Sequence, residues 1–157
     1  MLNGQSTTTV KEEYQVVFFI SPTCKICQYY ALYMRELPGH YDTTQFHFLA
    51  LMPGKLVDDE VAAEYKSKYR IPFEVRPDAD ETHHKLNATI TPEVFVLNSS
   101  GEIIYHGRID DAYFSVGKKR TIIKHHELDD VLHALEKGEK PSTEHVPAVG
   151  CLIEKSE

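Results

Sequence analysis

The chain has 157 residues, 41% of them hydrophobic, and a formal net charge of −7 at pH 7. That length suits one domain with a sizeable core that needs no disulfide staples. The acidic balance argues against nucleic acid or an anionic membrane surface as main partner, and no apolar run is long enough to span a bilayer.

Residues 1–10 form a polar, Thr-rich lead, without the basic and apolar regions of a signal peptide. Taken literally, that makes the chain cytoplasmic. Tyr14 to Ile20 is a near-continuous apolar run rich in β-formers, which predicts a strand buried on both faces. Cys24 to Leu37 follows as a helix, with Cys27, Tyr30, Ala31 and Met34 on one amphipathic stripe, and Pro38-Gly39 ends it. Phe46 to Met52 predicts the next buried strand. Asp58 is a plausible N-cap for a helix over Asp59 to Tyr69. A short strand is expected over Ile71 to Arg76 and a short polar helix over Asp80 to Leu86.

Ile90-Thr91-Pro92-Glu93 leads into the apolar strand Val94 to Leu97. The Asn98-Ser99-Ser100-Gly101 turn then sends the chain back through Glu102 to Ile109 as a hairpin. Asp110 to Lys124 reads as a polar loop centred on Lys118-Lys119-Arg120. Glu127 to Lys137 reads as a helix with Leu128, Val131, Leu132 and Leu135 inward, and Gly138 closes it. From Pro141 no periodicity remains, so the expected division is a lead over 1–10, one domain over 11–140 and a tail over 141–157. Strand–helix–strand units followed by a hairpin predict an α/β fold: a central mixed sheet with helices on both faces.

The chemistry concentrates in Cys24-Lys25-Ile26-Cys27, a C-x-x-C pair where a buried strand runs into a helix. A helix N-terminus offers unpaired N–H groups and a positive dipole end, and both favour thiolate over thiol. Spacing puts Cys27 on the core-facing stripe and Cys24 at the exposed tip. Cys24 is therefore the expected nucleophile, and Cys27 the thiol that resolves a mixed disulfide. Three cysteines are too few for a disulfide scaffold; a close pair plus a distant Cys151 fits redox or metal usage.

C-x-x-C after a buried strand, then Ile90-Thr91-Pro92 directly before a strand and hairpin, resembles the thioredoxin-like superfamily. The longer span between Cys27 and Pro92, and the Thr-Pro-Glu-Val-Phe-Val-Leu strand with its Gly turn, resemble its redoxin branch. That branch includes TlpA-like and alkyl-hydroperoxide-reductase/thiol-specific-antioxidant-like proteins. The resemblance covers about Tyr14 to Lys137. It implies a thioredoxin-like fold and thiol–disulfide exchange with protein thiols and disulfides. It also implies a redox-active Cys24–Cys27 disulfide in place of a cofactor, and an extracytoplasmic, periplasmic bacterial setting. Pro92 matches the family's cis-proline, which packs beside the sulfurs; Thr23, Thr91 and Glu93 then become substrate-groove candidates. Departures are specific. Thr23 stands where thioredoxin has Trp, and the strand before the motif carries no carboxylate. Ser21 lies three residues before Cys24, but Val17 occupies the position of the peroxiredoxin Pro, which argues against peroxidase chemistry.

Two other functions stay open. Thiolates favour Cu(I) or Zn, with Cys24, Cys27 and either His125, His126 or Cys151 as ligand candidates, although half of a four-ligand zinc site is missing. The chain could instead be a non-catalytic thioredoxin-like interaction module. Cys151 reads as a third redox thiol, a lipid-free tail cysteine or a small core residue. Arg108, Asp110 and Asp111 read as ion pairs or a loop anchor, and the His83-His84 and His125-His126 doublets as capping or exposed residues.

Overall fold

The structure, a computed structural model, describes residues 11–153. The expected lead over 1–10 lies outside them. Strand β1 (Tyr14–Phe19) runs into helix α1 (Lys25–Glu36), with Cys24 itself at the N-cap. The buried stripe of α1 includes Cys27, Tyr30, Ala31 and Met34 as its spacing predicts, and a 3-10 turn at Leu37–His40 contains Pro38. Strand β2 (Phe46–Met52) leads to α2 (Asp59–Tyr69). The Asp58 carboxylate accepts the Val61 N–H at 2.9 Å at the start of that helix, satisfying one of its free donors.

Strand β3 (Glu74–Pro77) begins later than expected. Ile71 is held back because its N–H still closes the end of α2 on the Lys66 carbonyl. Helix α3 shrinks to Thr82–Lys85. Its start is set by the Asp78 carboxylate, which accepts the N–H groups of Thr82 and His83 and bonds the buried His83 ring at 2.6 Å. After the two-residue β4 (Ile90–Thr91), β5 (Glu93–Leu97) and β6 (Ile103–Gly107) make the hairpin. The polar loop that follows contains a small hairpin, β7 (Tyr113–Ser115) with β8 (Lys118–Lys119). Then come α4 (Glu127–Glu136), β9 (His145–Val146) and β10 (Cys151–Leu152).

The main sheet has the order β3-β2-β1-β5-β6-β9. β1, β2 and β3 are parallel, β5 and β6 antiparallel, and β9 parallel to β6. The sheet is mixed, as expected. Residues alternate along β1: Val16 and Phe18 join a large cluster with α1, α2 and α4, whereas Val17 and Phe19 join a smaller one with Ala88 and Phe95. Leu86, at the end of α3, packs on the smaller cluster, so helical segments lie on both faces, unequally. Among the described residues no helix is long and apolar enough to cross a membrane.

The tail was expected to lack period, and it does, yet it is docked in two places. Gly107 (φ 141°) lies so close to β9 that a Cβ there would collide with the Val146 carbonyl. Gly150 lies equally close to β4, where a Cβ would collide with the Thr91 carbonyl. Only glycine tolerates such backbone approach.

Candidate functional site

The site begins where β1 ends. The Ile20 N–H still bonds the Leu51 carbonyl of β2, and the chain then turns through Ser21-Pro22-Thr23. This turn is fixed by two bonds, from the Cys24 N–H to the Ser21 carbonyl and from the Gln28 side-chain amide to the Pro22 carbonyl at 2.9 Å. Cys24 has extended backbone angles, and its carbonyl accepts the Gln28 N–H, the first bond of α1. Its side chain therefore sits at the end of the helix where unpaired N–H groups gather.

Cys27, one turn on, is fully buried, and its sulfur accepts the Ser21 N–H at 3.4 Å. The Tyr65 hydroxyl of α2 donates to the Cys27 carbonyl at 3.1 Å and braces this turn from below. On the other side the Cys24 thiol reaches the Thr91 carbonyl at 3.6 Å, and the Thr91–Pro92 peptide bond is cis. Thr91 and Pro92 thus stand beside the cysteine pair, brought from far along the chain by the β4–β5 segment.

One expectation is overturned. Cys24 is not an exposed tip: it is 3% exposed. The reason is the tail. β10 pairs antiparallel with β4, with Cys151 opposite Thr91 and Leu152 opposite Ile90. The Ile153 N–H extends the ladder to the Thr89 carbonyl at 2.8 Å. The Cys151 sulfur then lies 2.6 Å from the Cys24 sulfur, within bonding reach of it, and all three cysteines are free thiols. The third sulfur is the feature that sequence spacing could not bring to the site. Its signals were an odd cysteine and the glycine before it.

The three sulfurs have unequal acidities. Cys24 is pulled down from the usual thiol value to about 5, chiefly by the Cys27 thiol donating to it, against the opposing effect of burial, with Cys151 and the N–H groups of Cys27 and Ile26 helping. Cys27 is pushed well up, first by burial and then by the negative sulfur of Cys24 beside it. Cys151 is pushed up to about 11 by desolvation and by the same neighbour. A thiolate flanked by two neutral thiols is the charge-assisted hydrogen-bonding arrangement that stabilises an anion.

An open groove of about 410 Å³ lies over Cys24 and Cys151, bordered by Thr23, Val57, Thr91 and Leu152 among others. Glu93 does not reach the sulfurs. It is opposite Phe19 in the β1–β5 pairing, on the side of the sheet away from Cys27, and its carboxylate bonds the His106 ring at 3.1 Å. Arg108 forms a two-pronged pair with Glu127 at 3.0 and 2.6 Å, anchoring α4. Asp110 accepts the Tyr30 hydroxyl at 2.5 Å and the Ala112 N–H at 2.9 Å, and Asp111 accepts the Lys124 N–H. All three residues are loop anchors. His125 meets the rest of the loop through its backbone carbonyl, which accepts the Asp111 N–H. Among the described residues no group of three His, Cys, Asp or Glu side chains is arranged to hold a metal ion.

No family model matches the chain, and no curated protein matches it either. Solved structures do. An uncharacterized conserved protein from Geobacillus kaustophilus has a TM-score of 0.77 at 19% identity, over 96% of this chain and 82% of that one. A hypothetical protein from Sinorhizobium meliloti has a TM-score of 0.75 at 23% identity, over 93% of this chain and 81% of that one. A thioredoxin-like protein from Aeropyrum pernix has a TM-score of 0.52 at 16% identity, over 66% of this chain and 73% of that one. The fold is thioredoxin-like.

Proposed function

We propose that this chain is a thiol–disulfide oxidoreductase, with Cys24 as nucleophile, Cys27 as resolving thiol and Pro92 as the wall beside them. The observation that carries the reading is the placement of two sulfurs one helical turn apart, Cys24 at the N-cap of α1 and Cys27 fully buried, with the cis Thr91–Pro92 bond beside them. The attacking sulfur is held near 5, and its buried partner is held well above the usual thiol range. Exchange requires a thiolate to attack a disulfide sulfur in line. A Cys24 held that low supplies the thiolate at neutral pH, and a Cys27 pushed up keeps its proton until it is needed.

The reaction is a two-step transfer. When β10 frays from β4 and uncovers Cys24, the Cys24 thiolate attacks one sulfur of a protein disulfide, which breaks and releases one substrate thiolate. Cys27 then gives up its proton and attacks the Cys24 sulfur of the mixed disulfide. The Cys24–Cys27 bond forms, the second substrate thiol leaves, and two electrons have passed from the cysteine pair to the substrate. No cofactor beyond that pair enters the balance. Thr91 belongs to the machinery through its backbone, since its carbonyl faces the Cys24 sulfur and its edge is the one an extended segment pairs with. Thr23 borders the same groove.

Reduction of insulin disulfides by the reduced chain tests the reading. The expected result is turnover by the unsubstituted chain and its loss in Cys24→Ser, with a Cys24–Cys27 disulfide in the spent protein. A Cys24→Ser variant as active as the unsubstituted chain contradicts the reading.

A further inference from the structure

We propose that Cys151 is a second resolving thiol for Cys24, delivered by β10 acting as an in-chain strand in the groove; this rests on the exchange reading above. Four observations carry it. The Cys151 sulfur lies 2.6 Å from that of Cys24. It is held there by a built register, with Cys151 opposite Thr91, the Thr91 hydroxyl donating to the Cys151 carbonyl at 3.4 Å, and the Ile153 N–H on Thr89. Gly150 is the residue that lets the strand approach, because a side chain there would collide with the Thr91 carbonyl. Finally, β9 ties the tail to β6 just upstream, through the His106 and Arg108 N–H groups on the Glu144 and Val146 carbonyls at 3.0 and 2.9 Å. The thiol is therefore tethered a few residues from its target, at high effective concentration.

Exposure gives the third sulfur a distinct use. With β10 docked, Cys24 and Cys27 are both buried and Cys151 is exposed. A disulfide between Cys24 and Cys27 is shielded from an external dithiol, whereas a disulfide between Cys24 and Cys151 presents the Cys151 sulfur to one. The interconversion is an internal exchange. The Cys151 thiolate attacks the Cys24 sulfur, the Cys24–Cys151 bond forms, the Cys24–Cys27 bond breaks, and Cys27 takes up the proton that Cys151 lost. No net oxidation occurs. An external dithiol then attacks Cys151, forms a mixed disulfide there and frees Cys24 as its thiolate. The dithiol's second sulfur closes its own disulfide and releases Cys151. The dithiol is oxidised and the protein disulfide reduced, by two electrons.

Oxidised glutathione, a small disulfide, probes the resolving step in the oxidising direction. The Cys24 thiolate attacks it, one glutathione thiolate leaves, and Cys151 displaces the second to form the Cys24–Cys151 bond. Trypsin separates the three cysteines onto peptides 12–25, 26–35 and 138–155, so the bond is mapped directly. In full-length Cys27→Ser treated with oxidised glutathione, the expected product links 12–25 to 138–155. Adding Gly150→Val keeps Cys24 and Cys151 but blocks docking, and the linked product should fall about tenfold as the tethered strand becomes a free tail. Stalling of Cys27→Ser as a glutathione adduct on Cys24 with Cys151 free overturns the proposal. So does an unchanged yield with Gly150→Val. If the unsubstituted chain still reduces insulin in either case, only the role of Cys151 fails. If Cys24 does not react with oxidised glutathione at all, both readings fail.

Discussion

Two sulfurs flank Cys24, and they are held by different physics. Cys27 is part of the core: fully buried on the inward stripe of α1, bonded by the Ser21 N–H, and braced through its carbonyl by Tyr65 of α2. Cys151 is part of an edge, exposed, on a two-residue strand held by short ladder bonds and one close glycine approach. Both lower the Cys24 pKa, but the inner thiol cannot leave without opening the core, while the outer one can leave by fraying a tail. A fixed thiol therefore sits on one side of Cys24 and a detachable one on the other.

The inner side of Cys24 carries the largest expected effect. Cys27→Ala should raise the Cys24 pKa from about 5 toward the usual thiol value, because the largest lowering influence is removed. It should also destabilise the fold by about 1–2 kcal/mol, because a fully buried sulfur leaves a cavity. Alkylation of Cys24 as a function of pH reads the first effect and urea unfolding the second. An unmoved pKa would show that Cys27 is not the principal donor. Next comes the frame behind α1. Tyr30→Phe strips a buried hydroxyl from the Asp110 carboxylate, leaving that acid with the Ala112 N–H. Unfolding stability should drop by about 2 kcal/mol, the cost of leaving a buried charged acceptor short of a partner, with an unchanged denaturant slope. A loss within experimental error would mean that the hydroxyl's place is taken by solvent. The smallest effect belongs to the outer side. Cys151→Ala should shift the Cys24 pKa upward by less than Cys27→Ala does, and change stability by less than about 0.5 kcal/mol. A larger shift from Cys151 than from Cys27 would reverse the ranking of the two donors.

The two sides also differ in how far they were legible in the sequence. The inner side was readable because it obeys a period. Cys27 shares the i, i+3, i+4, i+7 stripe with Tyr30, Ala31 and Met34, and that stripe is buried. Thr91-Pro92 was readable through its resemblance to a known pattern, and it stands beside the sulfurs. The outer side obeys no period. β9 and β10 are two residues each, too short for alternation to register, and their pairing depends on backbone approach at Gly107 and Gly150. Composition marked the tail as aperiodic, which it is, but aperiodic sequence can still dock where glycines let two backbones meet. The exposed position expected for Cys24 failed for the same reason, since helical spacing knows nothing of a strand arriving from the other end of the chain. Glu93 was drawn toward the sulfurs by adjacency to Pro92. The two-residue alternation of a strand sends it instead to the opposite face, where it pairs with His106.

The proposed exchange rests on Cys24 being a thiolate at neutral pH, its charge stabilised by two neutral thiols and the first turn of α1. The most direct test is the pH dependence of Cys24 alkylation by iodoacetamide in the reduced, unsubstituted chain, read on peptide 12–25 by mass spectrometry. Because ionisation is favoured, reactivity should be at its plateau at pH 7 and fall as the pH drops through about 5. A rate still climbing through pH 8 toward the usual thiol value near 9 would contradict the account.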